Sequence, residues 1–130
     1  MAKFILMSPN YIEILAEASA DLSNGDYVSK ENLRGFCIVD VLTGADFAMI
    51  VKADKVKALK AVGAISPGDN VYYDVSGGNV TTTETGNIMV GHCIEAAASA
   101  DTTVMIEFDG SLDDIYQRMI LAEARITALE

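Results

Sequence analysis

The sequence predicts a mainly β protein, a small β-barrel or sandwich, followed by one C-terminal α-helix. Valine and isoleucine together number 23 of the 130 residues, and β-branched side chains suit the pleated surface of a sheet. Turn sequences recur at short intervals, at Ser23-Asn-Gly-Asp26, Leu42-Thr-Gly44, Ser66-Pro-Gly-Asp69, Ser76-Gly-Gly-Asn79 and Thr85-Gly-Asn87, cutting the chain into the short runs of a small sandwich or barrel. Past Asp109-Gly110 glycine and proline disappear and apolar residues return every third or fourth position, the period of a helix. Three segments result: an N-terminal arm over residues 1–9, a β domain over 10–109, and an amphipathic, coiled-coil-like helix over 110–130.

The arm, Phe4-Ile5-Leu6-Met7 before Pro9, is apolar and short. Two readings stand for it: pairing with the molecule's own sheet edge, or lying across a neighbouring protein. Residues 8–22 carry Ile12, Ile14, Ala16 and Ala18 at every second position, which suits one face of a strand, while their glutamate and alanine content suits a helix; the strand is the reading taken. The clearest hairpin is Val71-Tyr-Tyr-Asp-Val75, turning at Gly77-Gly78 into Val80-Thr-Thr-Thr83, since paired glycines supply the backbone freedom of a tight reversal. Val104-Met-Ile-Glu-Phe108 alternates as a half-buried last strand.

A weak internal repeat underlies these runs. Gly25-Asp-Tyr-Val28 precedes Gly35-Phe-Cys-Ile38 and then Met49-Ile50, while Gly68-Asp-Asn-Val71 precedes Gly91-His-Cys-Ile94 and then Met105-Ile106. Two related β halves would place Cys37 and Cys93 at equivalent core positions.

For the helix, Ser111 is an N-cap residue with Asp114 in the first turn. Leu112, Ile115, Met119, Ala122, Ile126 and Leu129 follow at spacings of 3, 4, 3, 4 and 3, a heptad seam. With Leu112 at a, Arg118 and Arg125 fall at g and Glu123 and Glu130 at e, so a parallel partner in register sets each arginine opposite a glutamate. An isolated helix of this length is marginal in water, and the seam therefore has three destinations: a parallel self-bundle, the parent β domain, or a different protein. Isoleucine at d with leucine and methionine at a leans away from a dimer.

The formal charge of −10 argues against nucleic acid as a partner, because such binders need a cationic surplus. No apolar run reaches the length of a membrane span, and the apolar start is too short for a signal peptide, so the expected product is soluble and non-secreted, with no membrane partner. Lys52, Lys55, Lys57 and Lys60 form the one basic cluster, either a solvated edge or a docking patch for an acidic surface. The sequence offers no catalytic, cofactor-binding or metal-binding set: His92 is the only histidine, Cys37 and Cys93 lack metal-ligand spacing, and there is no nucleophile elbow or phosphate loop. Enzymatic activity and a bound cofactor are therefore not expected.

The segment from Ala61-Val-Gly-Ala-Ile-Ser-Pro-Gly-Asp-Asn-Val-Tyr-Tyr-Asp74 through Val80-Thr-Thr-Thr-Glu-Thr-Gly-Asn87 and Val90-Gly91 to Glu95-Ala-Ala-Ala-Ser-Ala-Asp-Thr-Thr-Val104 resembles the small capsid decoration, or cement, proteins of tailed phages and prophages. The resemblance covers about residues 10–108 and is strongest from Gly63 to Val104. It implies a β domain, with a β-tulip-like barrel among its forms, made in the host cytoplasm and bound to the outer surface of the virion head. There it bridges major capsid protein subunits as a homotrimer at three-fold and quasi-three-fold positions. The family carries no catalytic residues, and its motif does not cover Ser111–Glu130; a trimeric coiled coil on the three-fold axis would suit that extension. On this reading Phe4, Ile5, Leu6 and Met7 add a strand or plug to a capsid edge, and Lys52, Lys55, Lys57 and Lys60 meet an acidic capsid face. The rival reading is a host-encoded oligomeric β-domain module for a small ligand or glycan, for which the Tyr72-Tyr73 pair is the main aromatic feature.

Overall fold

Strand β5 organises the molecule. In the computed structural model, which describes residues 2–113 and Met119, β5 runs fourteen residues, from Asp46 to Leu59, and has a partner along both edges. On one edge lie β1 (Phe4–Leu6) and β2 (Tyr11–Glu17), placed end to end. On the other, β4 (Leu33–Cys37) pairs with Met49 and Ile50 and β9 (Thr103–Asp109) takes over from Lys52 to Leu59. The sheet continues as β3 (Tyr27–Lys30) outside β4, and as β8 (Ile88–Glu95), β6 (Asn70–Asp74) and β7 (Asn79–Thr81) outside β9.

The second half curls until β7 returns to β5: Val80 bridges Lys60, and the Ala61 N–H donates to the Val80 carbonyl at 2.9 Å. Inside this barrel lies the larger core, which includes Phe4, Phe36, Ile50, Val56, Val71, Tyr73, Val80, Cys93, Ile106 and Phe108. A smaller core of Ala16, Ala18, Cys37, Val41, Phe47, Met49 and Val51 sits on the opposite face of the first part of β5. Alternation, shifted by the register breaks after Ile50 and after Ala53, divides β5 between them: Phe47, Met49 and Val51 point to the small core and Ile50, Ala53, Val56 and Ala58 to the large one. The expected mainly β fold is thus present, as one curled antiparallel sheet.

The internal repeat is built into this sheet. In each copy a Ser-x-Gly-Asp turn is closed by its aspartate, which accepts the serine N–H at 2.9 Å (Asp26 from Ser23, Asp69 from Ser66). Each turn then docks on its cysteine: the Gly25 N–H donates to the Cys37 carbonyl and the Gly68 N–H to that of Cys93, both at 2.8 Å. Gly25 and Gly68 hold φ of 90° and 89°, a left-handed conformation that glycine adopts at little cost. The strand order β3-β4-β5-β9-β8-β6 reads as two copies of one path back to back, and the pairing of β2 with β5 has its counterpart in that of β5 with β9, each broken by a bulge. The offset between copies is 43 residues at the turn and 56 at the cysteine; the difference is the stretch containing β7.

The copies diverge in one respect. Cys37 pairs with Met49, but Cys93 pairs with Ile106 rather than Met105, next to a bulge before Glu95. A one-residue slip turns side chains to the other face. Cys37 therefore faces the small core and Cys93 the large one, so the two cysteines are both buried but not at equivalent core positions.

Of the expected C-terminal helix, Leu112, Asp113 and Met119 have helical backbone; Ile115, Arg118, Ala122, Glu123, Arg125, Ile126, Leu129 and Glu130 lie outside the described residues. Ser111 donates its hydroxyl to Asp109 Oδ1 at 2.6 Å, and Asp113 Oδ1 accepts the Met89 N–H at 3.2 Å, fastening the chain to β8 as it leaves the domain.

Candidate capsid-contact surface

The arm divides by residue. β1 pairs with β5 through Phe4↔Ala58, Ile5↔Lys57 and Leu6↔Val56, so it completes the molecule's own sheet. Phe4 is the centre of an aromatic cluster, with ring centroids 5.5 Å from Phe36, 5.3 Å from Tyr73 and 5.4 Å from Phe108. It is buried, and Leu6 is half-buried against the same core, which removes Phe4 from any contact surface. Ile5 and Met7 are exposed, and with Tyr11, Ile12 and Leu15 on β2 they make an apolar border along one side of β5, Ile5, Met7 and Ile12 on the face that carries Lys57 and Lys52, and Tyr11 and Leu15, opposite Ala53 and Ala48, on the other face. Sequence reasoning missed the three on β2; an edge strand reads as any other until its missing neighbour is known.

The lysine cluster divides in the same way. Lys60 is 7% exposed and donates from Nζ to the carbonyls of Ala98, Ser99 and Asp101 at 3.1, 3.2 and 3.1 Å. Its ammonium thus ties down the loop before β9 and is not offered to a partner. Lys52 lies 4.0 Å from Asp109 and Lys55 3.2 Å from Glu95. Lys57 is half-buried on the outward face, beside Ile5 and Met105 in neighbouring strands. Lys52, Lys55 and Lys57 therefore share the middle of the sheet with the apolar border.

Met119 is exposed and Leu112 half-buried; the other seam residues lie outside the described residues. His92 points outward to Glu107 at 3.3 Å, whereas Cys93 beside it is buried, as alternation requires. Both thiols are free, and burial pushes each above its ordinary pKa, which keeps them protonated and weakly nucleophilic. Among the described residues there is no group of three or more potential metal ligands, and no helix is long and apolar enough to cross a membrane. Tyr72 and Tyr73, the pair a glycan site would have used, are 8% and 3% exposed and present no stacking face.

The sequence profile described as "Phage cement protein" matches residues 8–108, more than three quarters of the chain and all of the sheet except β1 and the last residue of β9. The chain belongs to the phage cement protein family. Neither the curated proteins nor the solved structures yield a match. Membership in the cement family supports a structural role at the phage capsid and is not membership in an enzyme family. The matched region includes the apolar residues Tyr11, Ile12 and Leu15 and the four lysines of the cluster, and excludes Phe4, Ile5, Leu6 and Met7 and the seam residues.

Proposed function

We propose that this protein binds the outer surface of an expanded phage head as a trimer and bridges neighbouring major capsid subunits at three-fold and quasi-three-fold positions. The family match across residues 8–108 carries the reading. A β domain bearing an exposed apolar border next to lysines supports it, a surface suited to a partner that is partly apolar and partly acidic. Ile5, Met7, Lys52, Lys55 and Lys57 remain the contact candidates from the original set. Leu112, Ile115, Met119, Ala122, Ile126 and Leu129 form the trimer seam, with Arg118 and Arg125 facing Glu123 and Glu130 of a neighbouring chain.

Bridging stabilises the head by mass action: a ligand that prefers the expanded lattice shifts the equilibrium toward it, and many modest contacts add. Purified protein mixed with expanded heads and with procapsids tests this. Saturable binding to expanded heads at a stoichiometry of three chains per three-fold position, with a raised melting temperature of the head, is the expected result; equal binding to both particles, or none, overturns it.

A further inference from the structure

The two copies of the repeat treat one gap differently. In the second copy, β7 lies between the edges of β6 and β5: Val80 pairs with Tyr73 of β6 and its carbonyl accepts the Ala61 N–H. The counterpart edges in the first copy are β3 and β2, and among the described residues no strand lies between them. In its place is an open groove of about 450 Å³, bordered by Ala16 to Ser19 on one side and Tyr27 to Lys30 on the other.

Both edges turn backbone groups outward that pair with no backbone group among the described residues. The Cys37 N–H donates to the Asp26 carbonyl, so alternate residues from Asp26 face β4 and the polar groups of Tyr27 and Ser29 face outward. Ala18 bonds to Ala45 and Gly44 beside β5, which turns the backbone of Leu15 and Glu17 toward the groove. There the Lys30 ammonium already donates to the Leu15 carbonyl at 3.3 Å. The floor is under-covered as well: Leu22 and Val28 are half-buried, whereas their counterparts Ile65 and Val71 are 3% and 0% exposed.

We infer that this groove is a strand-acceptor site for an extended segment of a major capsid subunit, inserted antiparallel to β3 and parallel to β2. Its chemistry follows β7, Asn79-Val80-Thr81: one small β-branched apolar residue over Leu22 and Val28, flanked by polar residues. Backbone pairing supplies the grip and the central residue the selectivity. A second copy of this chain is the weaker donor. Its only short N-terminal strand is held by Phe4 in its own core, and residues 114–130 carry a helical, not a strand, pattern. Ile12 lies on the face of β2 that carries Ala16 beside the groove, continuous with the exposed Ile5 and Met7 on the surface assigned to the capsid. The choice of a capsid segment rests on the decoration reading; the acceptor site itself does not.

The test has two arms. In the first, the free protein is titrated with a synthetic peptide of residues 78–83, Gly-Asn-Val-Thr-Thr-Thr, and followed by amide NMR. Shifts confined to residues 15–18 and 27–30, lost when aspartate replaces the peptide's valine, support the acceptor site; no shifts at millimolar peptide, or shifts elsewhere, overturn it. In the second, amide exchange is compared for free and head-bound protein. At least tenfold slower exchange at Glu17, Tyr27 and Ser29 on heads is expected, with Ser29→Pro weakening head binding at least tenfold while leaving the β3–β4 ladder intact. Binding to heads with those amides unchanged overturns the capsid strand and leaves decoration standing. Failure to bind heads at all overturns decoration and the capsid donor together, and the peptide arm still decides the groove. Protection that grows with the concentration of free protein would assign the groove to a second copy and overturn the capsid assignment.

Discussion

Phe4, for which pairing within its own sheet and contact with a neighbour both stood open, is buried against Phe36, Tyr73 and Phe108. Phe4→Ala should destabilise the domain by about 3–5 kcal/mol, as large-to-small changes of a buried phenylalanine do, measured by urea unfolding. Removing residues 2–9 would therefore damage the fold and is a poor test of capsid contact; Ile5→Ser with Met7→Ser keeps the core and removes only exposed apolar surface. Tyr73 gives a pH prediction. Burial, with Tyr27, Asp26 and Asp74 adding to it, pushes its hydroxyl up to about 12, above the value near 10 of an unfolded tyrosine. Between those values the folded state holds a proton that the unfolded state has released, so its stabilising contribution is complete below pH 10 and is lost as pH rises toward 12. The loss approaches about 2 kcal/mol. Urea midpoints at pH 9 and pH 11.5 should differ by correspondingly less in Tyr73→Phe. The sequence announced the strand around Tyr73, but not that both of its faces are covered: Val71 and Tyr73 lie in the large core, while Tyr72, on the opposite face by alternation, is also only 8% exposed.

Elements were legible where local chemistry decides them. The Gly77-Gly78 hairpin, the last strand and the paired Gly-Asp turns all lie where their residues place them. The repeat was visible as a spacing, and the structure gives its glycines a reason. A Cβ on Gly35 would collide with the Ile50 carbonyl, and one on Gly91 with the carbonyl of Glu107, so both mark the place where a cysteine-bearing strand presses on its neighbour. What spacing does not encode is which face each copy buries, since that depends on one residue of register. Gly35→Ala and Gly91→Ala should each cost more than about 2 kcal/mol, because backbone must move to admit the methyl group. Gly86→Ala, at φ 78° but with open space around it, should cost only about 1–2 kcal/mol, the left-handed penalty alone. Thermal unfolding of the three variants would show the ordering, and equal losses would refute the crowding argument.

At the scale of the whole molecule, the proposed trimer on a head needs a contact that joins three copies of a domain with two cores and one apolar border. The proposed heptad seam would begin at Leu112, one residue beyond the point where Ser111 is fixed to Asp109, so no linker separates its first position from the β domain. Asp113 then binds the Met89 N–H, and a chain that ends at Asp113 keeps every described contact of the β domain while losing most of the seam. Light scattering across a range of concentrations should find the full chain trimeric and the chain ending at Asp113 monomeric. Each buried seam side chain contributes on the order of 1.5–3 kcal/mol before entropy, so Ile115→Asp should shift the full chain toward monomer without lowering the unfolding midpoint of the β domain. If the shortened chain stays trimeric, the three-fold contact belongs to the sheet, and Ile5, Met7, Tyr11, Ile12 and Leu15 are the surface that must supply it. If the full chain is itself monomeric, the seam does not assemble in solution, and the lattice of the head would have to bring the three chains together.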